Sequence, residues 1–240
     1  MSLIAGSNNK QSKTKTMKII MLIPIGLFLS IQLFSQTPDC RASKINVRAD
    51  NYTFEYDNSG QLVKFSDRND NFYKLIYNSD GKLIKTENYD SDGELYDSYE
   101  FKKDRVEHYD EDGLYQTFVY EYDGELPTKI TWIDNSDGET KVVSELIWKD
   151  GNVIEEIEYD DGSATSYKFE YDDKVNPLQV LRPIVDFERL INYAEIYSKN
   201  NIIKITSEDK VIEVPVEYNE AGCPVIIENN HHYISKTITY

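Results

Sequence analysis

Side chains that carry out chemistry are scarce in this sequence. Three histidines, two cysteines and three methionines are all that 240 residues supply. His231 and His232 are adjacent, so in a strand they point to opposite faces and cannot share one metal. With only His108 besides, a three-histidine zinc centre would need all three to converge. No serine stands in a G-x-S-x-G setting, and there is no glycine-rich phosphate loop. The acidic clusters (Asp90, Asp92 and Glu94; Asp110 and Asp112; Asp134, Asp137 and Glu139) lack the glutamate that completes an EF-hand loop, and Asp before Gly is what hairpin turns use for backbone reasons. Neighbouring carboxylates such as Glu155, Glu156 and Glu158 are unavoidable among 43 acidic residues. These absences leave no catalytic residue, no metal site and no cofactor site, and the expectation is a non-enzymatic protein.

Positive charge is also in short supply. The formal net charge is −17, and four of the 26 basic residues (Lys10, Lys13, Lys15 and Lys18) lie in an N-terminal stretch that has no Asp or Glu. Without that stretch 22 basic residues face 43 acidic ones. Such a surface repels phosphate backbones and anionic lipid, which excludes nucleic acid as a partner.

There is one long apolar run, Ile19 to Phe34. It follows the lysine-bearing stretch and precedes Ser35-Gln36-Thr37-Pro38. A basic region, a short apolar region and a small residue before a polar start make a secretory signal. Sixteen residues interrupted by Pro24 and Gln32 are short for a membrane-spanning helix of about 20. Residues 1–35 are therefore expected to be an N-terminal extension and signal peptide, 36–44 a linker and 45–240 a single domain that is periplasmic, cell-surface or extracellular. In an oxidising compartment Cys40 and Cys223, one near each end of the mature chain, can close a disulfide. Two unpaired buried thiols are the alternative.

What is abundant is aromatic: 19 tyrosines and 9 phenylalanines, residues that suit a pleated sheet better than a helix. They recur in a unit of the form aromatic-x-aromatic, Asp or Asn, a short turn with Gly, then an apolar residue. It reads YTFEYDNSGQLVKF from Tyr52, FYKLIYNSDGKLIKT from Phe72 and YQTFVYEYDGELPTKI from Tyr115, with a degenerate last copy, VPVEYNEAGCPVII, from Val214. Alternation with period two places aromatics on one face and charges on the other. The Asp/Asn-x-Gly segments supply the backbone that tight hairpins need. The fold class is all-β: an antiparallel meander of hairpins forming a curved sheet or barrel-like structure. One stretch departs from it. Ile184, Phe187, Leu190, Ile191, Ala194 and Tyr197 fall at helical spacing after Pro183, which predicts one short helix over 184–197, packed across an opening of the sheet.

Three segments resemble a known family. YDDKVNPL (Tyr171 to Leu178) leads into the helical stretch, SKNN (Ser198 to Asn201) follows it, and YNEAGCP (Tyr218 to Pro224) sits in the closing hairpin. With the leader, these resemble the secreted domain-of-unknown-function family 4595 over most of residues 45–240. The resemblance implies a porin-like fold and carries no known catalytic residues. The hairpins also resemble the YD repeats of bacterial surface proteins. A transmembrane barrel would show the same alternation with its apolar face turned to lipid. Here the strands look short of the 9–11 residues such a barrel needs, and charges such as Glu155 share a face with Ile157 and Tyr159.

Trp132 and Trp148 are the candidate ligand-binding residues, able to stack on sugar rings or peptide faces if they stand in a groove. The same rings could equally be core. The leading expectation is a binding module for a glycan, peptide or envelope partner. A structural or assembly protein of the envelope is the alternative, with an outer-membrane barrel or an enzyme behind it. The export reading has a direct check: the mature protein should begin near Gln36, read by N-terminal sequencing of exported material. An intact leader on a cytoplasmic protein would refute it.

Overall fold

The computed structural model of the protein describes residues 40–47, 50–160, 162–182, 192–208, 210–229 and 234–240. The leader, His231 and His232, and residues 183–191 of the expected helix lie outside the described residues. Twelve strands precede the expected helical stretch: β1 (Lys44–Val47), β2 (Asp50–Tyr56), β3 (Leu62–Ser66), β4 (Phe72–Tyr77), β5 (Leu83–Tyr89), β6 (Leu95–Phe101), β7 (Arg105–Asp110), β8 (Gly113–Asp123), β9 (Leu126–Asp134), β10 (Thr140–Lys149), β11 (Asn152–Asp160) and β12 (Ser163–Val175). A 3-10 turn (Pro177–Leu181) and helix α1 (Tyr193–Tyr197) come next. The chain then returns to strands: β13 (Asn200–Ser207), β14 (Lys210–Glu213), β15 (Val216–Tyr218), β16 (Pro224–Asn229) and β17 (Ile234–Thr239).

Several hairpins owe their form to a single side chain. In the β2–β3 turn, Oδ1 of Asp57 accepts the backbone N–H groups of Ser59 at 2.8 Å and Gln61 at 2.9 Å. Asn78 does the same for Asp80 and Lys82, and Asp90 for Asp92 and Glu94. Gly60 follows with φ at 84°, a left-handed conformation that costs glycine little. Each such turn adds an extra residue to one strand, so the tyrosine before the turn meets the leucine after it: Tyr56 with Leu62, Tyr77 with Leu83, Tyr89 with Leu95. The shifts are bulges, which bend the strand and strengthen its twist.

Twist and bulges accumulate into curvature that brings the last strand beside the first. Ile45 in β1 pairs with Tyr52 on one side and Ile238 on the other. From β1 onward each strand is antiparallel to the next as far as β14, and β15, β16 and β17 continue in the same way back to β1. Among the described residues no ladder joins β14 to β15. They follow one another along the chain through Val214 and Pro215, where proline has no N–H to donate. The result is one 17-stranded antiparallel meander, curved but not closed into a barrel.

Nearly every strand contributes a buried residue to the concave side, among them Ile45, Phe54, Phe65, Leu75, Tyr99, Ile130, Leu146, Val153, Phe169, Ile205 and Ile238. Phe65 stacks on Tyr73 with centroids 4.4 Å apart. Tyr77 donates its hydroxyl to the Leu62 carbonyl at 2.7 Å, and burial pushes its pKa up to about 12. Within the described part of the expected helical stretch Tyr193–Tyr197 are helical, and a 3-10 turn over Pro177–Leu181 precedes the stretch. Leu178, Leu181, Ala194 and Ile196 are buried in the same core.

Cys40 and Cys223 form a disulfide that ties the residues ahead of β1 to the β15–β16 turn across 183 positions. Cross-linking so long a loop removes much of the freedom of the unfolded chain, about 5 kcal/mol in the chain-entropy account. Reduction, or Cys40→Ala with Cys223→Ala, should lower the unfolding free energy by about 2–5 kcal/mol in urea denaturation. An unchanged midpoint would show that the closure of the sheet ends does not depend on it.

Candidate functional site

The concave side is not uniformly apolar. Lys236 of β17, with no exposed surface, places its Nζ 2.8–2.9 Å from both carboxylate oxygens of Glu195 in α1, itself 5 % exposed. On the far side of the helix Glu156 of β11 is fully buried. Its carboxyl accepts the Ala194 N–H at 3.0 Å and lies 3.2 Å from the Ser144 hydroxyl. Burial pushes the Glu156 pKa up to about 8, with the charge of Glu158 adding to it and the hydrogen bonds from Ala194, Ser144 and Tyr193 only partly offsetting it. Burial therefore favours the protonated form of Glu156 at neutral pH.

The helix C-terminus is held as firmly. Arg182 Nε donates to the Ile196 carbonyl at 2.9 Å, and its other arm donates to that of Tyr197. Asn176 donates to the carbonyls of Glu195 and Ser198, and the Tyr171 hydroxyl donates to the carbonyl of Val153. These groups anchor the helical segment to the sheet, and the resulting arrangement is a scaffold.

A second polar group lies in the wall of β6 and β7. The Tyr99 ring stacks on His108 at 4.2 Å, His108 Nε2 is 3.2 Å from Asp97 Oδ2, and Tyr115 meets the His108 ring edge-on at 5.6 Å. Asp97 is 7 % exposed, and its Oδ1 has no hydrogen-bond partner.

Trp132 and Trp148 stand on adjacent strands, β9 and β10. Trp148 packs against the core and donates Nε1–H to the Pro127 carbonyl at 2.6 Å. Trp132 faces Phe118 across the β8–β9 ladder, with the Lys141 ammonium 5.7 Å over its ring. Both are half-buried. Exposed large apolar side chains occur along the sheet, Val211, Tyr122 and Ile147 among them, but four stand together at the turn-side ends of β6 and β8: Leu95 is 54 % exposed, Tyr96 71 %, Leu114 41 % and Tyr115 41 %. They continue a row that begins with Phe72 stacked on Tyr89 at 4.9 Å and passes through Leu95, which faces Tyr89, to Tyr109, which faces Leu114. Sequence reasoning missed this row because the tyrosines were read as one inward-facing set. The bulge just after the turn, with Tyr96 and Tyr115 as the extra residues, shifts the alternation.

The rest of the solvent-facing side is a lattice of ion pairs: Lys64 with Glu55, Lys85 with Glu87, Lys102 with Glu100, Arg105 with Glu107, Lys129 with Glu121 and Lys204 with Glu170, all within 2.6–3.0 Å. The length argument against a membrane barrel does not hold, because β8 to β12 run 9 to 13 residues. The charge argument is stronger than the sequence suggested, since a lysine or arginine facing lipid at mid-bilayer costs about 2–4 kcal/mol. No described helix is long and apolar enough to cross a membrane.

No family model matches this chain, and no curated protein matches it. Among solved structures it is similar to a porin-like protein from Bacteroides uniformis, at 13% identity and a TM-score of 0.54, covering 85% of this chain and 98% of that one. A porin-like protein from Bacteroides vulgatus is similar at 14% identity and a TM-score of 0.50, covering 83% of this chain and 98% of that one. These likenesses show a porin-like β fold.

The buried carboxyl gives a pH dependence with a definite sign. Its folded pKa is raised above the unfolded value, so the folded state keeps a proton that the unfolded state releases. Stability from this group is full below about pH 4.5 and declines as pH rises to about 8, by at most about 1.4 kcal/mol per unit. Glu156→Gln, which can keep both hydrogen bonds without ionising, should flatten that part of the melting-temperature profile. Parallel profiles for the two proteins would refute the assignment.

Proposed function

We propose that this chain is an exported, non-enzymatic binding module that engages its partner through the aromatic row at the turn-side ends of β4 to β8. The observation that carries the reading is the joint exposure of Leu95, Tyr96, Leu114 and Tyr115 on strands that flank β7. Strands lie about 4.8 Å apart, so the β6 and β8 ends are within roughly 10 Å of each other. Apolar residues scattered singly, such as Val211, need no explanation, but a set gathered on neighbouring strands marks an interaction site. Tyr is well suited to that work, since it presents a large ring at low entropic cost and a polar tip. Export is supported by the leader pattern and by the Cys40–Cys223 disulfide, a bond favoured in oxidising compartments.

The test is a binding panel of immobilised glycans and peptides with the purified chain. Tyr96→Ala with Leu114→Ala should abolish retention on whichever probe binds while shifting the melting temperature by no more than about 2–4 °C, as exposed substitutions do. Trp148→Ala serves as the contrast: its ring packs on the core, so it should cost on the order of 3 kcal/mol in stability. Retention unchanged by the Tyr96 and Leu114 substitutions, or no retention on any probe, would sink the proposal.

A further inference from the structure

Resting on that binding-module reading, we infer that the row takes a basic, partly apolar peptide segment of a partner protein. The first observation is where positive charge is missing. No Lys or Arg occurs from Thr86 to Phe101 or from Val106 to Thr128, which covers β6, β7 and β8 apart from the β6–β7 turn and the first residue of β7. The bases in between, Lys102, Lys103 and Arg105, sit at the opposite end of the hairpins, and Lys102 and Arg105 are engaged by Glu100 and Glu107. At the row's own end the turns are acidic, through Asp92, Glu94, Glu111 and Asp112, all exposed. The nearest hairpin turn on that side with a base is β3–β4, through Arg68.

The buried Asp97 beside Tyr96 places Oδ2 3.2 Å from His108 Nε2, and its Oδ1 has no hydrogen-bond partner among the described residues. The row also shows how it accommodates a cation. At its β4 end the protein's own Lys64 ammonium stands 4.9 Å over the Phe72 ring. Tyr96, far more exposed, offers an aromatic face to a partner's ammonium or guanidinium in the same way. Leu95 and Leu114 beside it provide apolar contact for the side chains between the basic ones. A polyanion is repelled by the acidic turns, and a neutral glycan makes no use of them.

The experiment uses the purified chain and three short labelled peptides that alternate Leu with Lys, Gln or Glu, followed by fluorescence anisotropy. Neutral oligosaccharides are tested in parallel. The Lys peptide should bind, with affinity falling about tenfold or more between low and physiological salt. Asp92→Asn, Glu94→Gln and Asp112→Asn together should weaken it about tenfold, and Tyr96→Ala about fivefold, with melting temperatures unchanged. Asp80→Asn with Asp123→Asn, at the other end of the hairpins, should leave it unchanged. Equal binding of the Gln peptide, or equal loss in the Asp80 and Asp123 variant, overturns the inference. Binding of an oligosaccharide, lost in Tyr96→Ala, with no binding of the Lys peptide overturns the partner class while leaving the binding module in place. Binding of none of the probes removes both.

Discussion

One side-chain oxygen at the head of each of the first hairpins, accepting two backbone N–H groups, is the interaction on which the register of this structure rests. At Asp57, Asp67, Asn78 and Asp90 it captures donors that a five-residue turn would otherwise leave to water. It thereby fixes where the turn begins and which residues pair after it. In a sheet with a side-chain period of two, a slip of one residue would move every aromatic from the concave side to the other. Repeating the same turn therefore repeats the same register. Tyr77, for instance, reaches back from one hairpin to the Leu62 carbonyl of the one before it.

What the curved sheet encloses follows from a second constraint. A five-residue helix has no autonomous stability, because nucleation is too costly at that length. It persists through tertiary contacts: Ala194 and Ile196 are buried in the core, and Lys236, Glu156, Arg182 and Asn176 supply polar ones. A buried ion pair is weak evidence of net stabilisation, since desolvation offsets most of its attraction. Removing one partner, however, leaves a charge stranded in a core. The Glu195–Lys236 pair therefore specifies where the helical segment sits more than it strengthens the fold. Glu156 meets the desolvation problem differently, by staying protonated.

The meander was legible in the sequence because its cause is local. Asp or Asn followed by Gly, set between alternating aromatics, names the turn and both strands without reference to the rest of the chain. The exposed row was not legible. Tyr52 and Tyr96 look alike in the repeat, and only the bulge next to each turn decides which rings leave the concave side. The Lys236–Glu195 pair was illegible for a different reason: Lys236 shares the face of Ile234 and Ile238, but 41 residues separate it from Glu195 and nothing local names that partner. Trp132 and Trp148 were singled out for rarity, a property of composition that says nothing about exposure. Both prove half-buried on neighbouring strands.

The two ends of the hairpins differ in a way that bears on where a partner can act. At one end the Cys40–Cys223 bond joins the sheet ends, Gln179 of the 3-10 turn donates to the Ser198 carbonyl after α1, and Lys199 lies against the β10–β11 turn at Gly151. Moving any of these would break several buried hydrogen bonds at once, so that end is committed to holding the curved sheet together. The β5–β6 and β7–β8 turns at the other end carry no such load beyond their own Asx bonds. Substitution there is cheap in stability, which leaves those positions free to be shaped by an encounter. Four exposed apolar side chains have gathered there, next to acidic groups that the fold does not need. A surface under selection for solubility alone would have placed charge at Leu95 and Tyr96, as it did at Lys85 and Glu87 along the same sheet.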